Sequence, residues 1–427
     1  MMIVAIIVFT IVYLLIATER VNRVVAALAG AGVILAIGVV GPDDAFFSKE
    51  TGIDWNVIFL LFGMMVIVGV LKQTGVFEYV AIWAAKKARG NPFRVMTLLC
   101  LITAVASAGL DNVTTVLLIA PVTLLVCEKI GVRPVPFLIA EALASNIGGT
   151  ATLVGDPPNL IVASKSGLTF NDFLVNLAPI VVVMLIAFVA LSRFLFRKDF
   201  SADPKQVAQV MQLDEREAIQ DRSLLIRSLI VLGLVLAAFT LHGVIHVEPS
   251  VVALLGAGLL VGISGLRPQS YLVDIEWETL LFFAGLFILV GSLVKTGVIE
   301  QFAAGLAAAT GDSVPTAMML ILWGSAVLSA VVDNIPFVAT MTPVVDQLVG
   351  GNGPFAGKNG LWWALVLGAD LGGNATAIGA SANVVVVGIA KRSGHPISFW
   401  EFTRYGAVVA VVTLAIATPY LLLRYGS

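Results

Sequence analysis

Two Asp-Asn pairs lie near the middle of long apolar stretches, where a charged side chain is costly. Asp111-Asn112 lies within residues 95–127 and Asp333-Asn334 within 317–345, and each aspartate is the only charged residue of its stretch. Ionisable residues inside membrane-spanning segments are functional by default, as ion sites or proton carriers. We therefore expect Asp111 and Asp333 to bind and release a coupling proton.

A second polar interruption follows each pair. Residues 145–159 read SNIGGTATLVGDPPN and residues 369–383 read ADLGGNATAIGASAN. Glycines and the Pro157-Pro158 pair break a helix, so we expect unwound backbone that offers carbonyls and half-helix ends to an ion. Glycine-rich helix packing is the alternative, but packing alone does not call for two prolines or for matching Asn159 and Asn383.

The candidate substrate and ion site combines carboxylates with side-chain amides, hydroxyls and unwound backbone. No Arg or Lys lies inside the four motifs to bind a carboxylate substrate, and we expect no cofactor and no metal centre. The candidate residues are Ser107, Asp111, Asn112, Thr114, Asn146, Gly149, Thr150, Thr152, Asp156, Asn159, Ser329, Asp333, Asn334, Asp370, Gly373, Asn374, Thr376, Ser381 and Asn383.

The composition places these residues in a lipid bilayer. The 427-residue chain is 59% hydrophobic and 12% charged, against roughly 25% charged in soluble domains. The 25 basic and 27 acidic residues include no long basic run, so nucleic acid is not an expected partner. The apolar run from Ile3 to Ala17 indicates a retained span, and Cys100 and Cys127 are interpreted as packing residues.

Helices of about 20 apolar residues are needed to cross the membrane. Splitting 95–127 and 317–345 at their Asp-Asn pairs leaves arms of about 15 residues, so we interpret both stretches as re-entrant hairpins with the aspartates at their tips. The alternative is a pair of long helices with Asp as a packing or capping group. Spans are predicted near 3–18, 24–40, 55–71, 134–164, 172–195, 224–241, 250–266, 278–294, 361–390 and 398–423.

The sequence repeats itself at a fixed distance. Ile53-Asp54-Trp55 recurs as Ile275-Glu276-Trp277, 222 positions later, and the Asp-Asn pairs keep the same offset; the glycine-rich runs are 224 apart. Each half holds about five crossings, an odd number, so the copies must be inverted. The predicted fold is an all-α polytopic membrane protein of two inverted repeats, residues 1–198 and 223–427, joined by a cytoplasmic linker, 199–222.

Basic residues fix the predicted orientation. With the N-terminus outside, about twenty Lys and Arg fall on the cytoplasmic side and five, Lys49, Lys165, Lys295, Lys358 and Arg424, outside. This positive-inside bias predicts a multi-pass protein of the cytoplasmic membrane with both termini outside. Glu141 lies in a predicted span and has no counterpart, because the 224 offset falls on Leu365.

The motifs AGLDNVTT (108–115), SNIGGTAT (145–152) and GDPPN (155–159), with their repeat at 333–383, resemble the ion transporter superfamily. They are most similar to the branch that holds arsenite/antimonite permeases, NhaD-type sodium/proton antiporters and the melanosomal P protein. The resemblance implies a homodimer in which a transport domain, carrying hairpins and broken helices, moves past a scaffold by an elevator-like motion. Some arsenite permeases also bind an ATPase subunit on their cytoplasmic loops.

Dicarboxylate and citrate carriers of the superfamily typically have Ser-Asn-Thr at each tip, whereas this chain has Asp111-Asn112-Val113 and Asp333-Asn334-Ile335. Carboxylates at the tips repel anionic substrates unless they are protonated or balanced by cations. The leading hypothesis is proton-coupled export of arsenite or antimonite. Sodium/proton antiport is second, carboxylate symport third, and a channel is disfavoured because the symmetry lies within one subunit. An enzyme is not expected.

Overall fold

The computed structural model describes residues 1–18, 20–200, 214–242, 246–311, 313–351 and 353–426, and these residues form helices and turns without a strand. The first half of the described chain contains ten α-helices. They are α1 (Met2–Ala17), α2 (Arg23–Ile37), α3 (Pro42–Phe47), α4 (Trp55–Lys72), α5 (Val76–Lys87), α6 (Pro92–Gly109), α7 (Asn112–Ile130), α8 (Val135–Gly149), α9 (Pro157–Ser166) and α10 (Phe170–Leu195).

The second half repeats the same order of long and short helices. Its described elements are α11 (Arg222–Thr240), α12 (Pro249–Ser264), α13 (Pro268–Leu272), α14 (Trp277–Lys295), α15 (Val298–Thr310), α16 (Val314–Ser329), α17 (Asn334–Val349), α18 (Gly360–Gly373), α19 (Ser381–Arg392) and α20 (Phe399–Tyr425).

The predicted fold class is confirmed. Helices α6 and α7 form one hairpin and α16 and α17 the other, with the Asp-Asn pairs at the turns. The predicted spans 134–164 and 361–390 are each broken, into α8 and α9 and into α18 and α19. In the described ranges, seven helices are long and apolar enough to cross a membrane: α4, α6, α7, α10, α11, α14 and α20.

The predicted arm length was wrong for the first hairpin. Helices α6 and α7 contain 18 and 19 residues, because the polar ends of the apolar stretch are helical too. Asn91 caps α6 by accepting a hydrogen bond from the amide of Arg94, and Pro92 fits the first helical turn. The hairpin assignment therefore rests on the observed chain reversal at Asp111 rather than on short arms.

Two pairs of short helices were not predicted from the sequence. The 12-residue α5 and 13-residue α15 connect α4 and α14 to the hairpins, and α3 and α13 are single short turns of helix. Most of the predicted linker, residues 201–213, lies outside the described residues. Its far end packs back on α5, where Lys86 forms an ion pair with Glu215.

The two halves pack against each other through equivalent pairs of helices. Helix α2 packs against α14, and its counterpart α12 packs against α4. Hairpin helix α7 packs against broken helix α19, and its counterpart α17 packs against α9. Each hairpin tip therefore lies beside the helix break of the other half, which brings all four polar motifs together.

Within each half, the hairpin lies directly on the first part of the broken helix. A Cβ atom at Gly372 of α18 would lie 2.5 Å from the Cα atom of Ala326 on α16. Gly148 of α8 approaches Ala104 of α6 in the same way. These contacts require glycine because the facing backbone leaves no space for a side chain.

Gly372→Ala should therefore lower the thermal stability of the detergent-purified protein, by about 1–3 kcal/mol for an overpacked contact. Gly262→Ala is the matched control, because a Cβ atom at Gly262 in α12 meets no atom within 4 Å. The control should leave the melting temperature unchanged or raise it slightly, since alanine favours helix. Equal melting temperatures for the two variants would contradict this packing.

Candidate functional site

Both hairpin tips are built as helix caps. The carboxylate of Asp111 accepts a hydrogen bond from the amide of Thr114 at 2.8 Å, and that of Asp333 accepts one from the amide of Ile335 at 3.0 Å. Aspartate is a favoured N-cap because its side chain satisfies an amide that the helix leaves unpaired. Each cap fixes the first residue of the returning helix, Asn112 or Asn334, in a buried position.

Asp156, at the start of α9, joins the two tips. The amide of Asn112 donates to one Asp156 oxygen at 2.8 Å, and the amide of Asn334 lies 3.5 Å from both oxygens. Only 1% of Asp156 is exposed. Hairpins from opposite halves thus converge on one carboxylate.

Asn146, in the last turn of α8, extends this network. Its side-chain oxygen accepts from Asn112 at 3.1 Å, and its amide nitrogen donates to the side-chain oxygens of Asn374 and Asn383, both at 3.0 Å. All four asparagines are buried. Side-chain amides therefore bind the two halves to each other at the centre.

Each helix break is closed by an asparagine from the following helix. The amide of Asn159 donates to the carbonyls of Gly149 at 3.3 Å and Thr152 at 2.8 Å. A helix end leaves such carbonyls without an intrahelical partner. The second half repeats both bonds at 2.8 and 2.9 Å, with Asn383, Gly373 and Thr376.

Most of the hydroxyl groups predicted as ligands form hydrogen bonds between a hairpin and a helix break. The Thr152 hydroxyl donates to the carbonyl of Ala108 at 2.6 Å, and the Ser107 hydroxyl donates to that of Ser145 at 2.8 Å. The mirror bonds, at 2.6 and 2.7 Å, join Thr376 to Ala330 and Ser329 to Ala369.

Asp370 differs from the other carboxylates. It is 0% exposed, and neither of its oxygens has a hydrogen-bond partner among the described residues. The Thr150 hydroxyl beside it donates instead to the carbonyl of Asn146, at 2.9 Å. The side-chain oxygens of Asn112 and Asn159, the Thr114 hydroxyl and the amide nitrogen of Asn374 are also buried without a partner in the described chain. The centre therefore contains more hydrogen-bond acceptors than donors.

The sequence analysis missed Arg23, which begins α2. Its guanidinium donates to the Ser381 hydroxyl at 2.6 Å and lies 3.5 Å from the Asp333 carboxylate, to which Ser381 also donates at 2.6 Å. The side chains of Arg23 and Asp333 are 29% and 12% exposed. The positive-inside count had placed Arg23 among the cytoplasmic residues, and no local signal marks a contact across 310 residues.

The nineteen predicted residues thus lie on the two tips, the two breaks and the hairpin arms beside them. All are buried except Asp333 and Thr376, which are half-buried. A cavity of about 580 Å³ opens beside this region, between α9 and α10 on one side and α4 and α12 on the other. Leu153, from the break, lines it.

Two inverted halves, each with a hairpin and a broken helix that meet around buried polar groups, define a secondary transporter. The comparisons with known proteins agree with this class. The sequence profile of the citrate transporter family matches residues 13–368, and the chain belongs to that family within the ion transporter superfamily, so the resemblance seen in the motifs is confirmed.

Proteins that are similar to this chain include other transporters. An uncharacterised transporter of Mycobacterium tuberculosis is 59% identical over 425 residues, which cover 100% of this chain and 99% of that protein. The mouse P protein is 34% identical over 493 residues, which cover 97% of this chain and 59% of its own length. The crystal structure of the Alcanivorax borkumensis YdaH transporter superposes with a TM-score of 0.53 at 16% identity, covering 95% of this chain and 97% of that one, and supports the fold.

Arg23→Gln should destabilise the protein, because Asp333 then loses its charged partner. We expect a loss of about 1–3 kcal/mol, the usual worth of a hydrogen bond to a charged group, measured as a lower melting temperature in detergent. The double variant Arg23→Gln/Asp333→Asn should recover part of the loss, since neither charge remains. Arg20→Gln, at an exposed residue three positions earlier, is the control, and an equal loss there would refute the pairing.

Proposed function

We propose that this chain exports arsenite or antimonite in exchange for protons, with the four converging motifs as the substrate and ion site. The observation that supports this proposal is the excess of buried, unpartnered acceptors around Asp156 and Asp370. Arsenite at physiological pH is a neutral hydroxide whose O–H groups are donors. Such a solute complements acceptors without adding negative charge.

Charge argues against an anionic substrate. Four aspartates, Asp111, Asp156, Asp333 and Asp370, lie in the candidate site, and the one described guanidinium that reaches them, that of Arg23, is already paired with Asp333. A di- or tricarboxylate would meet net negative charge in a low-dielectric environment. The family name therefore does not transfer a citrate substrate to this chain.

Sodium/proton antiport is the second candidate. Carboxylate and side-chain amide oxygens are hard ligands of the kind that alkali and alkaline-earth cations prefer. Asp370, Asn112 and Asn159 present oxygens of this kind without a donor. The same site would then exchange sodium for protons.

The mechanism that we propose is of the elevator type. Hairpins and broken helices form the moving domain, and the cavity beside α9 gives aqueous access to it. The positive-inside bias supports insertion in the cytoplasmic membrane with both termini outside. A homodimer, and an ATPase subunit on the cytoplasmic loops, stay predictions from the family resemblance.

A proteoliposome assay separates the candidate substrates. Vesicles that contain the purified protein and an internal pH-sensitive dye should show proton movement when arsenite is added, and protein-free vesicles should not. Proton movement on addition of sodium, but not of arsenite, would replace the first proposal with the second. Solute flux without stoichiometric proton movement would indicate a channel and contradict both.

Asp111→Asn and Asp333→Asn should each abolish coupled transport in this assay while the protein still inserts. Asparagine is as good an N-cap as aspartate, so the tips should keep their shape and lose only their charge. Asp221→Asn is the matched control, because Asp221 caps α11 through the amide of Leu224 at 2.9 Å, away from the hairpins. Normal coupling in both tip variants would remove these two aspartates from the mechanism.

A further inference from the structure

The hydrogen-bond networks of the two halves differ at one pair of equivalent positions. The 224-residue offset relates Asn146 to Asp370, Thr150 to Asn374 and Asn159 to Asn383. In the first half, the Asn146 amide donates to the side-chain oxygens of both Asn374 and Asn383 at 3.0 Å. By the same offset, Asp370 takes the place of Asn146 in the other half, and its equivalent partners are Thr150 and Asn159.

An ionised aspartate cannot complete the mirror network, because it has no N–H group. Both Asp370 oxygens and the side-chain oxygen of Asn159 are indeed left without a partner in the described chain. All three atoms are buried. Buried acceptors without a donor are strongly unfavourable, so the equivalent network of the second half requires a donor at Asp370.

We propose that Asp370 binds the coupling proton and, in its protonated form, donates a hydrogen bond to the side-chain oxygen of Asn159. The proton adds to a carboxylate oxygen and leaves from it again, so that no other reactant is needed. The Asp370 O–H group then donates to Asn159 in the second half, as the Asn146 amide donates to Asn383 in the first half. This inference rests on the proposed proton-coupled transport. It assigns the proton to the helix break and keeps the tip aspartates as charged groups that coupled transport also requires.

Asp156, in contrast, is the carboxylate that stays ionised in this proposal. Asn112 and Asn334 both direct amide donors at it, which stabilises the ionised form. The negative charges of Asp370, Asp333 and Asp111 oppose a further charge on Asp156, so an ionised Asp156 requires both its amide donors and a neutral Asp370. Of two neighbouring buried carboxylates, the one without donors holds the proton and the one with donors stays charged.

The other charged groups on the elements around α18 do not compensate Asp370. On α20, Arg404 and Arg424 are exposed and Glu401 pairs with Arg133. Asp346 lies 13 residues beyond the tip of α17, roughly 20 Å along the helix. Glu141 on α8 accepts from Thr123 at 2.5 Å, and Lys165 on α9 donates to the carbonyl of Lys49.

Infrared spectroscopy tests the proposal without any substrate. The purified full-length protein at neutral pH in sodium-free buffer should show the carbonyl stretch of a buried protonated carboxylic acid. The spectra are recorded in a Glu78→Gln/Glu141→Gln/Glu276→Gln background, because each of these glutamates also has a buried carboxyl oxygen without a partner in the described chain. We expect Asp370→Asn to remove the band and Asp156→Asn to retain it. A band that persists in Asp370→Asn, or that was absent before the substitution, would overturn the assignment.

A reciprocal pair of substitutions gives a second test. Asp370→Asn restores the donor of the mirror network and should keep or raise the melting temperature, whereas Asn146→Asp removes two hydrogen bonds and should lower it. In proteoliposomes, Asp370→Asn should lose solute accumulation driven by a pH gradient. Accumulation that survives this substitution refutes the proton assignment, whereas wild-type protein without any solute-linked proton movement refutes the proposed function instead.

Discussion

The backbone hydrogen bonds across the two helix breaks are the constraint on which the site depends. Hydrocarbon offers no partner for an exposed carbonyl, so unwound backbone at membrane depth must be satisfied by the protein itself. Asn159 and Asn383 do this by donating to the carbonyls that α8 and α18 leave free. With those carbonyls satisfied, the breaks can remain open and face the hairpin tips.

Inverted duplication explains why the polar groups meet. Each hairpin packs against the broken helix of its own half through a backbone contact and against that of the other half through its returning helix. The two tips therefore approach one centre from opposite sides, and Asp156 is shared between them. The repeat provides the common framework of the two halves. The charged and polar groups that distinguish the halves are Asn146 against Asp370, Asp156 against Ala380, and Arg23.

Much of this arrangement could be read from the sequence. The constant offset of 222 or 224 residues identified the repeat, and lone aspartates in apolar stretches identified the tips, because both signals are local or periodic. The asparagine network and the Arg23 pair could not be found in this way, since they join residues that only the packing of two halves brings together. Arm lengths were underestimated because Arg94 and Lys129 continue the hairpin helices beyond the apolar residues.

The charge balance of the centre follows from these contacts. Asp111 accepts a hydrogen bond from a helix amide, Asp156 from two side-chain amides and Asp333 from Arg23 and Ser381, so three of the four carboxylates have donors for a negative charge. Arg23 offsets one of these charges. If Asp370 is neutral, two negative charges remain beside unpartnered oxygens, an environment that attracts cations and donor-rich neutral molecules. Loss of the proton from Asp370 adds a third negative charge at a position without a donor. Binding of a cation or of an O–H donor compensates that charge, so proton release and solute binding favour each other. This mutual dependence is the coupling that an exchanger requires.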